Sequence, residues 1–425
     1  MQESILIPYY KDFLELNIEP ANLKAVIKPQ KIKNDTVLNE KEIIRVSLEN
    51  PIGSAKLCEL AKGKKRAVII TSDHTRAVPS ALTLPLLLEE LRYGNPEIEV
   101  TIIIATGLHR PTTESEMRGM FGDHIVNTES IIVNDAYRDE DFAYISKLPS
   151  GAEFSVNKAA LDCDLLIAEG FIEPHFFAGF SGGRKSVLPG ICSKETINEN
   201  HSFGAIAHAN AISGVIDSNP IHIDMVDAAK KVNLQFILNV ALNSDKKVVA
   251  AFSGDMEKAH EKGVEFVRNH CECEAVKGDI VVTGNGGYPL DQNLYQSVKA
   301  VSTAERCAKT DAVIVMCCSC ADGVGGEDFL RLMTGGSPGE MMTKLSDIPP
   351  KKTIPEQWNA QVYFKTLMGH KVILVSDFLK PDIIEKANLI PAKSLDEAMD
   401  KAYSIRGASS EVVVIPDGVA VIIKN

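Results

Sequence analysis

The feature that most constrains the fold is a recurring short run of apolar, β-branched residues, each separated from the next by a helix-like segment. The runs are continuous rather than alternating, which is typical of strands buried on both faces of a parallel sheet. One helical segment is SALTLPLLLEELRYG at 80–94, and a capping box of Thr113 and Glu116 lies in another. The alternation predicts an α/β fold of mostly parallel sheets flanked by helices. The clearest runs lie at 66–71, 100–106, 130–135, 163–170, 235–240, 279–284, 311–316 and 371–377.

The length of the chain indicates two domains. With 425 residues it exceeds one ordinary hydrophobic core, and the strand–helix pattern restarts near 271–279. We therefore predict an N-terminal domain at 1–272 and a C-terminal domain at 273–404, with the active site in the cleft between them. The tail at 405–425 is expected to form a hairpin around Pro416-Asp417-Gly418 and to return to the N-terminal domain, pairing with its first strand.

Charge and cysteine content exclude several classes of protein. A net charge of −12 and a pI near 5.4 argue against a nucleic-acid binder or a protein of anionic membrane surfaces. The sequence predicts neither a signal peptide nor a membrane span. Five of the nine cysteines crowd into CEC and CCSC, which does not resemble a secreted disulfide framework. We expect a cytoplasmic protein, and we interpret the cysteines of MCCSC at 316–320 as buried small hydrophobes.

Four chemically rich segments each follow the carboxyl end of a predicted strand. Open α/β sheets bind ligands at that edge, so these loops are expected to converge on one interdomain cleft. The segments are SDHTR at 72–76, GLHRP at 107–111, EPHFFAGFSGGRKSVLPG at 173–190 and GNGGYPLDQN at 284–293.

The first two segments combine an anion grip with an acid–base group. Asp73, Thr75 and Arg76 could hold a phosphate or sugar through the guanidinium fork and the hydroxyl. The alternative is a helix cap with a surface ion pair. The imidazole of His109 suits proton transfer near neutral pH, although a hydrogen-bonded loop histidine is the plainer interpretation.

The third segment is too rich in glycine, phenylalanine and proline for a regular helix or strand. Its glycines permit positive φ and close approach of another group, and Arg184 and Lys185 add positive charge. It matches neither G-x-x-x-x-G-K-[ST] nor G-x-G-x-x-G, so it predicts neither ATP nor a dinucleotide. Lys185 could be an attachment point or a phosphate partner. A solvated lysine is the alternative, which the neighbouring phenylalanines disfavour.

Four further positions are candidates for the site. His201 lies late on a short helix that Ser193 caps. Gln296 and Lys299 share one face of a helix and could clamp a carboxylate, although a solvated helix face explains the spacing nearly as well. Trp358 could line a pocket or fill the core.

These segments together resemble the nickel-dependent lactate racemase family. SDHTR, ATGLHRPTT, EPHFFAGFSGGRKSVLPG, NENHS and GNGGYPLDQNLYQSVK occur in that family in the same order and at similar separations. The likeness runs over most of the chain, and the third and last segments are its most specific parts.

The resemblance implies a cofactor and a set of roles. The family carries a nickel pincer nucleotide, a pyridinium mononucleotide with two thiocarbonyl arms, which would be held covalently by Lys185. His201 would be the protein ligand of nickel, and His109 and His175 the two acid–base residues. The N-terminal domain would bind the cofactor and the C-terminal domain would clamp the substrate. Asp73, His74, Thr75 and Arg76 would lie against the cofactor, and Arg76, Gln296 and Lys299 would contact the substrate.

The implied reaction is racemisation or epimerisation of a lactate-like 2-hydroxy acid by reversible hydride transfer, with each imidazole serving one enantiomer. The implied partners are the small acid and the proteins that make and load the cofactor. A homo-oligomer is possible, and the side chain of the acid is left open. The alternatives are a nicotinamide-dependent 2-hydroxy acid dehydrogenase, which lacks its glycine signature here, and a non-catalytic module that binds an anionic metabolite.

Overall fold

The computed structural model describes residues 3–30, 38–243 and 245–424. Its strands are β1 (Glu3–Tyr9), β2 (Asp12–Ile18), β3 (Leu23–Val26), β4 (Arg66–Ser72), β5 (Glu99–Ala105), β6 (Ser130–Val133), β7 (Phe142–Lys147), β8 (Glu153–Asn157), β9 (Leu165–Phe171), β10 (Pro174–His175), β11 (Gly179–Phe180), β12 (Leu234–Leu242), β13 (Val248–Gly254), β14 (Glu272–Glu274), β15 (Gly278–Gly284), β16 (Ala308–Cys317), β17 (Lys371–Val375), β18 (Ile390–Ala392), β19 (Val412–Ile415) and β20 (Ile422–Lys424).

The helices fall between these strands as the alternation predicts. They are α1 (Glu40–Glu49), α2 (Leu57–Ala61), α3 (Ser80–Gly94), α4 (Glu114–Phe121), α5 (Asp123–Thr128), α6 (Lys194–Asn200), α7 (Phe203–Ile206), α8 (Pro220–Lys231), α9 (Met256–Cys271), α10 (Leu294–Glu305), α11 (Glu327–Met333), α12 (Pro338–Ser346), α13 (Gln357–Gly369), α14 (Pro381–Lys386) and α15 (Leu395–Arg406). Short 3-10 helices include Gly183–Ser186 and Pro350–Lys352.

The N-terminal domain is built on a six-stranded sheet in the order β13-β12-β9-β4-β5-β6. Its strands run parallel except β13, which pairs antiparallel with β12. Ile69 of β4 pairs with Ile102 on one side and Ile167 on the other. All seven residues of β9 are buried, because apolar clusters cover both faces of the sheet. This burial explains why the strands appear in the sequence as unbroken apolar runs.

The C-terminal domain has a second six-stranded sheet, in the order β18-β17-β16-β15-β19-β3, and all of its pairs are parallel. The predicted α/β fold with two mostly parallel sheets is therefore confirmed. The predicted burial of the cysteine cluster is also confirmed, because Cys317, Cys318 and Cys320 are fully buried free thiols.

The ends of the chain differ from the prediction. The tail is not a hairpin: β19 lies between β15 and β3 as a parallel strand, and β20 pairs in parallel with β14. The segment VVVI of β19 is wholly buried, which suits the middle of a parallel sheet better than a hairpin edge. The two chain ends do meet, but in the C-terminal sheet. Assigning the first strands to a domain at 1–272 was therefore wrong, and the boundary at 272 stays a prediction.

The first strands also cover the C-terminal sheet. In the hairpin of β1 and β2, the side chains on one face pack on the strands of that sheet. These side chains are Ile5, Ile7, Leu16 and Ile18. Buried and exposed residues therefore alternate along β1 and β2.

The two domains touch beside the cleft. Gln361 Nε2 on α13 donates to the carbonyl oxygen of Phe203 on α7 at 3.0 Å, and Lys351 forms an ion pair with Glu153 at 2.6 Å. Each of these contacts joins one domain to the other. None of the helices in the described ranges combines the length and apolarity that crossing a bilayer requires.

Candidate active site

A cavity lies between the domains at the carboxyl ends of β4, β5 and β9. Its lining includes eight of the ten site residues predicted from the sequence, and they come from both domains. These eight are Asp73, Arg76, His109, His175, Lys185, His201, Gln296 and Lys299.

Asp73, which is buried, pairs with the partly exposed ring of His109. Asp73 Oδ2 lies 2.6 Å from His109 Nδ1, while its Oδ1 accepts the backbone N–H and the hydroxyl of Thr75 at 3.0 and 2.6 Å. Burial opposes ionisation of Asp73, but the adjacent His109 and these hydrogen bonds outweigh it and lower the pKa of the carboxyl. An ionised carboxylate only accepts, so His109 Nδ1 carries the hydrogen and Nε2 is left as the base.

His175 and Lys185 face each other on the cavity floor. Lys185 Nζ lies 3.4 Å from His175 Nε2 and 5.6 Å from the centre of the Phe177 ring. Burial and then the charges of Arg184 and Arg76 lower the pKa of Lys185 well below its usual value. Burial and the charge of Lys185 likewise lower the pKa of His175. The lowered pKa favours the neutral, nucleophilic form of the amine.

His201 lies just past the end of α6, between two aromatic rings. Its ring centre is 5.0 Å from that of Phe177 and 4.9 Å from that of Trp358. Burial, followed by the charge of Lys185, lowers its pKa to about 3, which keeps the ring neutral. Its buried Nδ1 has no hydrogen-bond partner within the described residues. A neutral imidazole with an unpaired nitrogen is a suitable metal ligand.

The C-terminal wall of the cavity is formed largely by α10 and the start of α13. Gln296 and Lys299 are nearly buried, and Lys299 has its pKa lowered to about 8 by burial and by Arg76. Trp358 Nε1 donates to Tyr295 Oη at 3.0 Å, which fixes two aromatic rings of the lining. Asn293 caps α10, so the loop of the fourth segment positions this helix rather than lining the cavity itself.

Two predicted residues do not line the cavity. Thr75 acts on Asp73 through its hydroxyl. His74 Nδ1 lies 3.0 Å from Thr112 Oγ1, beside the start of α4. The predicted contact of His74 with a cofactor therefore stays a prediction without geometric support.

The glycines of the third segment have a different role from the one that the sequence predicts. A Cβ on Gly179 would lie 2.3 Å from Val215 O, and one on Gly183 would lie 2.9 Å from the His260 ring. Both residues also have positive φ. These glycines are needed because the protein's own backbone and core pack against them, and not because they leave room for a ligand. Arg184 likewise points into the core, not into the cavity.

Several residues near the site escaped the sequence analysis. Glu169 is fully buried on β9, and its carboxylate accepts from Thr71 at 2.5 Å, from Ser80 at 2.6 Å and from Thr83. It fastens the end of β4 and the start of α3, which flank the segment with Asp73. A lone acid inside an apolar run was the available signal. Tyr295, Glu356 and Asn359 also line the cavity, and no local pattern marks them.

Comparisons with known proteins agree with this geometry. The family model of the lactate racemase N-terminal domain matches residues 9–214, and that of the lactate racemase C-terminal domain matches residues 273–423. A lactate racemase of Thermoanaerobacterium thermosaccharolyticum is 47% identical over 423 residues, covering 99% of each chain. One of Lactiplantibacillus plantarum is 46% identical over 422 residues, covering 99% of this chain and 100% of the other.

Solved structures give the same picture. The lactate racemase apoprotein of T. thermosaccharolyticum superposes with a TM-score of 0.96 over 100% of both chains, at 47% identity. A Thermotoga maritima protein shares the fold with a TM-score of 0.68 at 19% identity, over 91% of this chain and 99% of the other. The resemblance seen in the sequence is therefore confirmed: the chain belongs to the lactate racemase family and is an isomerase.

Proposed function

We propose that this protein racemises lactate or a closely related 2-hydroxy acid in the interdomain cavity. The observation that carries the proposal is the convergence of His109 and His175 on one cavity that also holds a buried amine and further cations. Two bases suit a reaction in which each enantiomer presents its hydroxyl group from a different side. The curated relatives named above are lactate racemases, which supports lactate as the first substrate to test.

The cationic side chains of the cavity would bind the carboxylate of the 2-hydroxy acid. Arg76 and Lys299 line it from opposite domains, with Gln296 one helical turn before Lys299. A guanidinium and an ammonium in a water-poor cleft bind a carboxylate strongly, and the amide adds direction. This arrangement would fix one end of the substrate and leave its hydroxyl to the imidazoles.

The imidazoles would move only the hydroxyl proton. Asp73 holds His109 in the tautomer whose Nε2 can accept that proton. His175 Nδ1 accepts the N–H of Ala178 at 3.3 Å, so Nε2, beside Lys185, is the nitrogen left for proton transfer. The hydrogen on the adjacent carbon needs a separate acceptor, because a carboxylate stabilises a carbanion poorly.

The side chains present fit the nickel pincer nucleotide that the family implies. Lys185 would hold it covalently and His201 would ligate nickel, since the first offers a buried amine with a lowered pKa and the second an unpaired imidazole nitrogen. No group of three His, Cys, Asp or Glu side chains in the described ranges could hold a metal, so the other ligands would come from the cofactor. When bound, the cofactor supplies a reversible hydride acceptor.

The same features bear on partners and compartment. A covalently held cofactor requires proteins that make and load it, and we propose these as partners. All nine cysteines are free thiols, which supports a reducing compartment such as the cytoplasm.

The test is chiral chromatography of L-lactate and of D-lactate incubated with protein produced in a cofactor-competent host. We expect each enantiomer to become a 1:1 mixture, about one nickel per loaded chain, and an intact-mass adduct on Lys185. Lys185→Ala should lose the adduct. A loaded, nickel-replete preparation that leaves both enantiomers unchanged would refute the proposal.

A further inference from the structure

The residue before the proposed attachment lysine is a buried cation without an acidic partner. Arg184 is 1% exposed and forms no ion pair with a carboxylate within the described residues. Burying an uncompensated charge is unfavourable unless its donors are satisfied. The stability of the buried guanidinium therefore depends on the acceptors of its N–H groups.

Backbone carbonyl oxygens take most of the guanidinium hydrogens. Nη1 donates to Phe180 O at 2.7 Å and to Gly182 O at 3.1 Å, and Nη2 donates to Ala178 O at 2.9 Å. Nε donates to His222 Nδ1 at 3.0 Å. One planar group thus ties together a turn of five residues, which a lysine ammonium could not do from a single nitrogen.

The turn is also held from outside. Asn239 Oδ1 accepts the N–H of Gly183 at 2.8 Å, and His260 Nε2 lies 2.9 Å from Ser181 O. The ring of His260 packs so closely on Gly183 that no Cβ fits there. The buried guanidinium is therefore the centre of a polar cluster in which Asn239 and His260 are buried and His222 is half-buried.

The turn joins the two groups on the cavity floor. It begins at Ala178, whose N–H donates to His175 Nδ1, and it ends at Gly182, which Gly183 and Arg184 connect to Lys185. We propose that Arg184 is a positioning residue. Its guanidinium holds this turn and so fixes the position of the His175 ring relative to the Lys185 amine. The role goes beyond charge balance, and its kinetic consequence rests on the proposed function.

The test compares Arg184→Lys with Arg268→Lys. The first keeps the charge and loses the fork. The second changes an arginine that also contacts the turn, 5.5 Å from the ring of Phe180. Its hydrogen bond goes to Gly214 O outside the turn, so no backbone carbonyl of the turn loses a donor. Hydrogen exchange of the apoprotein is followed by mass spectrometry. Arg184→Lys should speed exchange in the 176–187 peptide about tenfold or more and leave distant peptides unchanged. Equal protection in this variant and the wild type overturns the proposal.

The kinetic arm uses protein loaded with cofactor and normalised to nickel content. Arg184→Lys should lower kcat about tenfold or more with KM within about threefold, since misplaced groups slow proton transfer more than they weaken substrate binding. Arg268→Lys should match the wild type. A kcat for Arg184→Lys within twofold of wild type overturns the proposal.

The two arms separate the two proposals. If loaded wild-type protein does not racemise, the proposed function fails while hydrogen exchange still decides the role of Arg184. If Arg184→Lys does not fold, His222→Phe replaces it, because this change removes only the acceptor for Nε. The same two measurements then apply, with smaller shifts expected in the same direction and unchanged values overturning the proposal.

Discussion

At the scale of single residues, the site depends on how each ionisable group is held. Asp73 was predicted from the sequence as a contact for a cofactor, and this stays a prediction. The structure adds that Asp73 lies against His109 Nδ1. The sequence supplied the residue types and their order along the chain. It could not supply this pairing, because the two residues lie 36 positions apart and meet only when β4 and β5 pair.

Replacing Asp73 with Asn tests this pairing. The amide no longer holds His109 in the tautomer with a free Nε2, so kcat/KM should fall by about 10²–10⁴-fold. Because the two enantiomers are equal in free energy, the loss must be equal in both directions. Steady-state kinetics from each enantiomer measures it, with circular dichroism to check folding. A loss below about threefold would show that His109 does not need the carboxylate.

Lys299 gives the substrate affinity a pH dependence. Burial and Arg76 lower its pKa to about 8, so the ammonium loses its charge as pH rises through that value instead of near 10.5. KM should therefore be steady near pH 7 and rise by up to about tenfold per unit above about 8. Lys299→Arg keeps its charge and should give a flat KM up to pH 9.5. A wild-type KM that stays flat over this range contradicts the assignment.

At the scale of elements, the sequence predicted most of what local chemistry determines. The bounds of α3 and the capping box of α4 match the structure, as do the buried strands of both sheets. The prediction for the tail was wrong because one short apolar run suits a hairpin and a parallel strand equally well. Only the long-range pairing of β19 with β15 and β3 determines which of the two forms. The interpretation of the glycine-rich segment was wrong for the same reason, since the residues that pack against it come from distant parts of the chain.

Gly179 tests the account of that segment. A methyl group there would press on the carbonyl of Val215, and φ is +77°, so Gly179→Ala should destabilise the protein by about 1–3 kcal/mol or more. Gly204 lies in α7, where an added Cβ would meet no atom within 4 Å, so Gly204→Ala should be neutral or stabilise by up to about 1 kcal/mol. Urea unfolding compares them. Equal midpoints for both variants would mean that the segment is not packed as described.

At the scale of the whole molecule, buried neutral imidazoles link stability to pH. The pKa of His222 is lowered to about 3, first by burial and then by Arg184. The unfolded chain protonates this ring below about 6.5, so its contribution is complete above that pH and is lost as pH falls towards 3. It accounts for up to about 1.4 kcal/mol per pH unit. The unfolding free energy of His222→Gln should fall less steeply than that of wild type between pH 6 and 4, and parallel curves would contradict this.

The central claim about the whole cleft can be tested by following the hydrogen on the carbon that carries the hydroxyl group. If His109 and His175 handle only the hydroxyl proton, the hydrogen on the carbon leaves and returns as hydride without meeting solvent. Unlabelled L-lactate racemised by the loaded enzyme in deuterium oxide should then give D-lactate without deuterium on that carbon, as mass spectrometry would record. D-lactate that carries solvent deuterium there would mean that an imidazole removes the carbon-bound proton, and the account would be wrong.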